Sequence, residues 1–159
     1  MTVATVGVYG WQLDSFLDAL AAANVTTVVD VRQRRGVRGS EYAWANARRF
    51  QEALSRAGIE YRHQPELAPT SELRGLQYAE DAKQGVGKRS RAELAPEYRE
   101  RYLREILDQV DLDAFVAALP DDGVAALMCV ERDPEACHRS LIAERLASDH
   151  GVTVAHLRP

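Results

Sequence analysis

Short runs of β-branched and apolar residues alternate along the chain with segments whose apolar residues recur at helical spacing. A first strand is predicted from Thr2 to Tyr9 and a second from Val25 to Val31. The second run has little alternation, which is typical of a strand covered on both faces of a parallel sheet. Three further strands are predicted at Ile59–His63, Val124–Cys129 and Val152–Leu157.

The segments between these strands predict amphipathic helices, each with one apolar stripe. The stripes contain, in chain order, Leu13, Phe16, Leu17 and Leu20; Phe50, Leu54 and Ala57; Tyr98, Tyr102, Leu103 and Ile106; Leu112, Phe115, Val116 and Leu119; and Leu141, Ile142 and Leu146. The last helix is predicted from about Cys137 to His150. Strands that alternate with helices predict an α/β fold, a Rossmann-like three-layer sandwich with a mainly parallel sheet and helices on both faces.

Residues 64–95 are the least regular part of this predicted single domain of residues 1–159. The segment is interrupted by Pro65, Pro69, Gly75, Gly85 and Gly87. It also carries basic side chains at Lys83, Lys88, Arg89 and Arg91. The pattern predicts an irregular excursion over the site, and therefore a candidate lid.

Composition excludes several classes of protein. The chain has 159 residues, 46% hydrophobic composition and a net charge of −4, so we expect a globular fold with no global attraction to nucleic acid. No apolar run approaches the roughly 20 residues that span a bilayer, and a secretory signal pattern is absent. Two cysteines are too few for a disulfide framework. These features predict a cytoplasmic protein without membrane contact.

Candidate chemistry follows the ends of the predicted strands, where ligands bind in open parallel sheets. Asp30 and Arg32 follow the second strand, and His63 ends the third. The fourth strand leads to the remaining candidates, Cys129, Glu131, Cys137, His138 and Arg139. We expect Cys129, Glu131, Cys137 and His138 to be catalytic, and Asp30, Arg32, His63 and Arg139 to bind substrate.

The start of the last helix has the properties of an anion site. Free backbone N–H groups and the positive end of the helix dipole favour an anion there and lower the pKa of a thiol such as Cys137. Arg139, and Arg32 from the neighbouring loop, could hold a phosphate or carboxylate through paired N–H donors.

Several short motifs together resemble the family of domain of unknown function 488. They are Thr5–Tyr9, Asp30–Arg32, Tyr61–Leu67, Cys129–Glu131, Cys137–Arg139 and Val154–His156. The resemblance implies a compact Rossmann-like fold and a cluster of polar residues, without an agreed reaction. The chain departs from the usual pattern at Gln33, where proline is common, and at Ala68 and Pro69, where glycines are usual.

The first functional hypothesis is an enzyme that acts on a phosphorylated or otherwise anionic substrate, related to nucleotides or nucleic acids. Asp30-Val31-Arg32 after an apolar strand also suggests a sulfur transferase of the rhodanese type. The residues after Cys129 do not form that catalytic loop, and Glu135 stands where the Cys-x5-Arg motif of thiol phosphatases needs arginine.

Two alternatives stay open beside the enzyme. A zinc or iron site could use Cys129, Cys137 and His138, completed by His63, Glu131 or His156. Against it, seven residues separate the cysteines, and adjacent Cys137 and His138 are expected to point apart at a helix start.

A non-catalytic nucleic-acid-binding module could use the Arg32–Arg38 loop and the Lys83–Arg91 segment, with Tyr42, Trp44 and Tyr78 to stack on bases. The sequence specifies no cofactor and no oligomeric state.

Overall fold

The computed structural model describes residues 1–159 and contains one five-stranded sheet. The strands are β1 (Thr2–Val6), β2 (Val25–Asp30), β3 (Glu60–His63), β4 (Val124–Met128) and β5 (Thr153–Leu157). All neighbours pair in parallel, in the order β3-β2-β4-β1-β5. This confirms the predicted α/β fold. β1 ends before the predicted Tyr9 because the chain leaves the sheet after Val6 and bonds to the loop beyond β4 instead, with the Val8 N–H donating to the Val130 carbonyl.

Six α-helices and four short 3-10 turns connect the strands. The helices are α1 (Leu13–Ala22), α2 (Ala47–Arg56), α3 (Ser71–Lys83), α4 (Pro96–Glu105), α5 (Leu112–Ala117) and α6 (His138–His150). The 3-10 turns are Ser40–Ala45, Pro65–Leu67, Leu107–Gln109 and Pro134–Ala136. None of the helices combines the length and the hydropathy needed to cross a membrane.

The strand order determines which face each helix covers. The chain moves outward from β1 to β2 and β3, and then returns to insert β4 between β2 and β1. Because crossover connections are right-handed, α1 and α2 cover one face, and the helices after β3 cover the other. Phe16 of α1 packs against Phe50 of α2 with ring centroids 5.7 Å apart, whereas α4 packs against α3 and α6. The result is the predicted three-layer arrangement.

The excursion over residues 64–95 differs from the expected irregular segment, because α3 occupies much of it. The helix begins where the Thr70 hydroxyl accepts a hydrogen bond from the Leu73 backbone N–H at 3.1 Å, a helix cap that offsets the weak propensity of Gly75. Leu73 and Gln77 are buried, while Gly75 faces solvent. Burial of one face stabilises a helix that the glycine and proline content did not predict.

The return of the chain after β3 creates a crevice at the carboxyl ends of β2 and β4. The helix that follows β2 covers one face of the sheet and the helix that follows β4 covers the other, so the loops diverge between these two neighbouring strands. Such a point is where open α/β sheets bind ligands. Asp30 ends β2 and Cys129 directly follows β4, so residues from both loops meet at this crevice.

Gly7 controls the close approach of the loops after β1 and β4. A Cβ atom at Gly7 would lie 1.8 Å from the Glu131 carbonyl oxygen. We therefore expect Gly7→Ala to displace the Glu131 backbone and to lower the free energy of unfolding by about 1–3 kcal/mol or more. Urea denaturation followed by circular dichroism measures the change.

Gly75→Ala is the matched control, because no atom lies within 4 Å of a Cβ built on this helical glycine. This variant should gain about 0.5–1 kcal/mol from helix propensity. Equal stability of the Gly7→Ala variant and the wild type would contradict the close approach.

Candidate active site

Two thiols and one imidazole meet at the crevice between β2 and β4. Cys129 follows β4, and Cys137 and His138 stand at the start of α6. The Nδ1 atom of His138 lies 3.7 Å from the Cys137 Sγ and 3.9 Å from the Cys129 Sγ. The three atoms are within 4.8 Å of one another, and all three residues are buried. The sequence prediction that these residues form one cluster therefore agrees with their positions.

A backbone carbonyl fixes the orientation of the His138 ring. The Nε2 atom lies 2.8 Å from the carbonyl oxygen of Val31, which follows β2. A carbonyl only accepts hydrogen bonds, so Nε2 carries a proton and donates it to Val31. In the neutral ring the Nδ1 atom that faces the two thiols is then unprotonated. His138 can accept a proton from either thiol at that atom.

The adjacent Cys137 and His138 side chains converge, which corrects the expectation that they point apart. Cys137 is not helical: its φ and ψ of −141° and 145° are extended, and it precedes the first residue of α6. The change from extended to helical backbone between the two residues turns both side chains toward the same space. A pattern that treats both as helical residues predicts the wrong directions.

The surroundings of the two thiols shift their pKa values in opposite directions. Burial alone would raise the pKa of Cys137, but the hydrogen bond from Cys129 and the positive charges of His138 and Arg139 hold that pKa well below its usual range. The hydrogen bond to Cys137 and burial raise the pKa of Cys129 well above its usual range. Burial alone would lower the pKa of His138, but the Cys137 thiolate, Glu131 and the hydrogen bond to Val31 together raise it. The favoured state is a Cys137 thiolate paired with a His138 imidazolium, with Cys129 as a neutral thiol donor.

Glu131 is a second buried titratable group in the same pocket. Burial and the Cys137 thiolate raise the pKa of its carboxyl, and this effect exceeds the opposing attraction of Lys88 and Arg91. Its Oε1 atom accepts a hydrogen bond from Arg91 at 3.4 Å, whereas Oε2 is buried without a partner. A carboxyl with a raised pKa beside a thiol with a lowered pKa is the arrangement of a proton donor and a nucleophile.

Arg139 contacts the loop after β4 from outside the pocket. Its guanidinium donates to the carbonyl oxygens of Glu131 and Arg132 at 2.6 and 3.0 Å, and the residue is completely buried. Arg139 does not line the pocket that contains the thiols. These contacts hold the loop after β4 in place and keep the arginine at a distance from a ligand in the pocket.

Arg32 reaches the pocket wall, but its donors are engaged by the protein. The Nε and Nη2 atoms donate to the two carboxylate oxygens of Asp30 at 2.9 and 2.8 Å. The Nη1 atom donates to the Ala45 carbonyl at 2.8 Å. Asp30 also accepts a hydrogen bond from the Tyr61 hydroxyl at 2.7 Å. The pair is therefore a buried structural network at the end of β2.

The remaining histidines lie outside the thiol cluster. The Nε2 atom of His63 is 3.1 Å from the Arg32 carbonyl oxygen, and His63 does not line the pocket. His156 contacts the Thr5 hydroxyl oxygen through Nδ1 at 2.7 Å on the far side of β1. Neither histidine joins the group of atoms that could share a metal ion with Cys129, Cys137 and His138.

Residues of the excursion complete the pocket, and the sequence analysis did not assign them to the site. Lys88, Arg91, Gln77 and Tyr78 line the same cavity as the thiols. Its interior volume of about 40 Å³ accommodates roughly three water-sized groups. The concentration of basic residues at 83–91 was the available signal, but their positions depend on how α3 and the following loop fold back over the sheet.

A buried ion pair anchors this cover. Arg91 donates through Nε to the Asp81 carboxylate at 3.0 Å and through Nη1 to the Ala136 carbonyl at 3.2 Å. Gln77 donates to the same carboxylate at 2.8 Å and accepts from the Ala95 N–H at 2.9 Å. The network joins α3, the loop after it and the segment before α6 into one wall.

Comparison with known proteins found one matching family model. A family model described as "Domain of unknown function DUF488" matches residues 12–146. No curated protein and no solved structure matches the chain.

The opposite shifts of the two thiol pKa values predict a single reactive thiol. A lowered pKa means that Cys137 stays a thiolate as the pH falls below roughly 8.5, where a free cysteine takes up a proton. We expect alkylation by iodoacetamide, measured against pH, to show a midpoint below that value in the wild type. Cys137→Ser should remove this reaction.

Two substitutions of Cys129 form a matched pair. A serine hydroxyl can still donate to the Cys137 thiolate, whereas alanine cannot, so Cys129→Ala should move the alkylation midpoint to higher pH and Cys129→Ser should preserve it more closely. A low-pH reaction that survives in the Cys137→Ser variant would show that Cys129 is the thiolate.

Proposed function

The chain belongs to the DUF488 family, and we propose that it is an enzyme whose nucleophile is the thiolate of Cys137. The observation that supports this most directly is the position of His138, whose Nε2–H is held by the Val31 carbonyl while Nδ1 faces the thiols. A nucleophile, a base within reach and a third group that orients the base are the parts of an activated cysteine. The sulfur–nitrogen distance of 3.7 Å is long for a hydrogen bond, as is common before substrate binds.

Cys129 has a positioning role in this proposal. Its neutral thiol donates to the Cys137 sulfur and stabilises the thiolate, so that it acts on substrate only through Cys137. Its raised pKa keeps that donor protonated over the range in which Cys137 is ionised. Free buried thiols are also typical of a reducing compartment, which supports a cytoplasmic enzyme.

Glu131 supplies the proton in the reaction. The Cys137 sulfur uses a lone pair to bond the electrophilic atom, and the leaving group departs with its bonding electrons and takes the Glu131 proton. Water then attacks the same atom and returns a proton to Glu131. The thiolate leaves with the electrons of its bond, so both residues regain their starting states.

Lys88 is the best candidate to bind the anionic part of the substrate. It lines the pocket with the thiols. Burial alone would lower the pKa of its ammonium group, but the acidic groups around it, with Glu131 first among them, together raise that pKa. Arg34 lines the same pocket and makes no hydrogen bond or ion pair within the protein. The side-chain donors of Arg32 are already bound and Arg139 does not line the pocket, so the proposal transfers substrate binding from them to Lys88 and Arg34.

A metal-dependent function is the second candidate, because the same three atoms form a suitable ligand set. Two thiolates and one imidazole nitrogen suit zinc, with a fourth position open to substrate. A ligating histidine usually donates its other N–H to a carbonyl or carboxylate, as His138 does to Val31. The three atoms lie within 4.8 Å of one another, close to the spacing that one ion requires.

The proposal predicts a bell-shaped pH profile. Activity on phosphate- and carboxylate-bearing esters should fall at low pH as Cys137 takes up a proton, and at high pH as Glu131 loses the proton that it donates. Glu131→Gln should remove the high-pH limb while the low-pH limb remains. Cys137→Ala should abolish turnover, and His138→Gln should lower kcat about 10²- to 10⁴-fold. Initial rates across pH measure all four.

Mass spectrometry of the quenched enzyme provides the decisive control. The wild type should carry a substrate-derived adduct on the peptide that contains Cys137, and the Cys137→Ser variant should carry none on a sulfur atom. Stoichiometric zinc in the purified protein, together with loss of activity on chelation and no adduct, would refute the thiolate mechanism in favour of the metal.

A further inference from the structure

A wide basic groove opens beside the candidate active site. Its volume is about 610 Å³, within the range of small-molecule sites. Five cationic side chains line it: Arg34, Arg38, Arg74, Lys88 and Arg89. No aspartate or glutamate lines it, although the chain as a whole has a net charge of −4. This groove therefore has a charge opposite to that of the molecule.

Three of these cations have no partner within the protein. The side chains of Arg34, Arg38 and Lys88 make neither an ion pair nor a hydrogen bond, whereas Arg89 pairs with Glu41 at 3.2 Å. Cations that converge on a groove lined by no acidic residue attract polyanions, since the repulsion between the cations is relieved when an anion binds. A ligand with two or more phosphate charges matches this arrangement.

Aromatic rings accompany the cations. Tyr78 lines the groove and is 40% exposed, unlike the other aromatic residues of the chain, which are more buried. The Arg74 guanidinium lies 5.7 Å from the Tyr78 ring centroid, and Arg89 lies 5.1 Å from that of Tyr9 on the same groove. An exposed tyrosine ring flanked by arginine offers a surface on which a flat base can stack.

Trp44 has no part in this surface. Its ring packs against Phe16 and Phe50 at 5.0 and 6.2 Å. Tyr42 lies beneath the Arg89 guanidinium and beside Tyr9, and its hydroxyl accepts a hydrogen bond from the Gly10 N–H. Of the three aromatic residues considered for base stacking from the sequence, Tyr78 alone lines the groove.

The groove and the inner pocket share a wall. Arg34, Arg74, Tyr78 and Lys88 line both cavities. The inner cavity accepts only a small group, whereas the groove accepts a much larger one, so a single ligand can place its reacting end at Cys137 and its bulk outside. The inner pocket therefore has the size of the reacting group of a nucleotide, and the groove has room for the rest of the molecule.

We propose that the groove binds a nucleotide, with its phosphates on Arg34, Arg38 and Lys88 and its base against Tyr78. This deepens the proposed function by naming the substrate class, and it rests on that function for the chemistry at the reacting end. Binding itself requires only the groove.

Calorimetric titration of ADP into the Cys137→Ala protein at low salt tests the proposal, because this variant binds without turnover. We expect saturable binding that weakens as salt is added. Arg34→Ala/Arg38→Ala should weaken it about tenfold for each arginine, since each removes a charge-assisted hydrogen bond. The charge-matched control Arg48→Ala/Arg49→Ala on exposed α2 should bind ADP as the parent does.

Two further ligands separate the phosphate and base contributions. Tyr78→Leu should weaken ADP about fivefold or more but leave inorganic pyrophosphate unchanged, whereas Tyr78→Phe should retain ADP binding. Equal effects on both ligands would overturn the assignment of the base to Tyr78.

The remaining outcomes distinguish failure of the nucleotide groove from failure of the proposed thiolate enzyme. Absence of ADP binding, or equal weakening by the α2 control, overturns the nucleotide groove. Tight binding of a single-stranded oligonucleotide without binding of ADP overturns it in favour of a nucleic-acid surface. ADP binding with intact groove dependence, but no reactive Cys137, would refute the thiolate enzyme and leave the groove assignment standing.

Discussion

The buried ion pair between Asp30 and Arg32 is the interaction on which the site depends. Two carboxylate oxygens accept two guanidinium donors, and the Arg32 backbone N–H also donates to Asp30 at 3.1 Å. These bonds fix the backbone of residues 30–32 beyond β2. That short stretch presents the Val31 carbonyl to His138 and the Arg32 carbonyl to His63. The tautomer and direction of His138 therefore follow from an ion pair that makes no hydrogen bond to either thiol.

Buried ion pairs are costly to assemble, because both charges lose their hydration. Here, two of them surround the site, Asp30 with Arg32 and Asp81 with Arg91, and each cation also donates to a backbone carbonyl. An apolar pair of similar volume would fill the same space, but it would not hold a carbonyl or a loop in one position. The pairs therefore make the geometry specific: one orients the base and the other holds the wall of the pocket.

The sequence was most informative where one element determines the local structure. Apolar or β-branched runs predicted four of the five strands, the exception being the polar strand β3. The rule that ligands bind beyond strand ends brought Cys129 together with Cys137 and His138. It was least informative where the outcome depends on contacts between distant segments. The helix α3 forms because Leu73 and Gln77 are buried by residues far along the chain, and the roles of Arg32 and Arg139 depend on carbonyl oxygens that no pattern places. Lys88 and Arg34 line the same pocket although they are 54 positions apart in the sequence, so no local pattern predicts that they meet.

The two cysteines differ because they occupy different backbone environments. Cys129 continues an apolar strand, where the Cys137 sulfur and burial disfavour a negative charge and the attraction of Lys88 is too weak to offset them. Cys137 stands before the first turn of α6, beside the His138 ring and the Arg139 side chain, and at the positive end of the helix dipole. One proton shared between two such sulfurs therefore stays on Cys129. The neutral thiol then stabilises the thiolate that it faces, so the two cysteines act as one nucleophile and its hydrogen-bond donor. Cys129→Ala distinguishes the two roles because it removes only the donor.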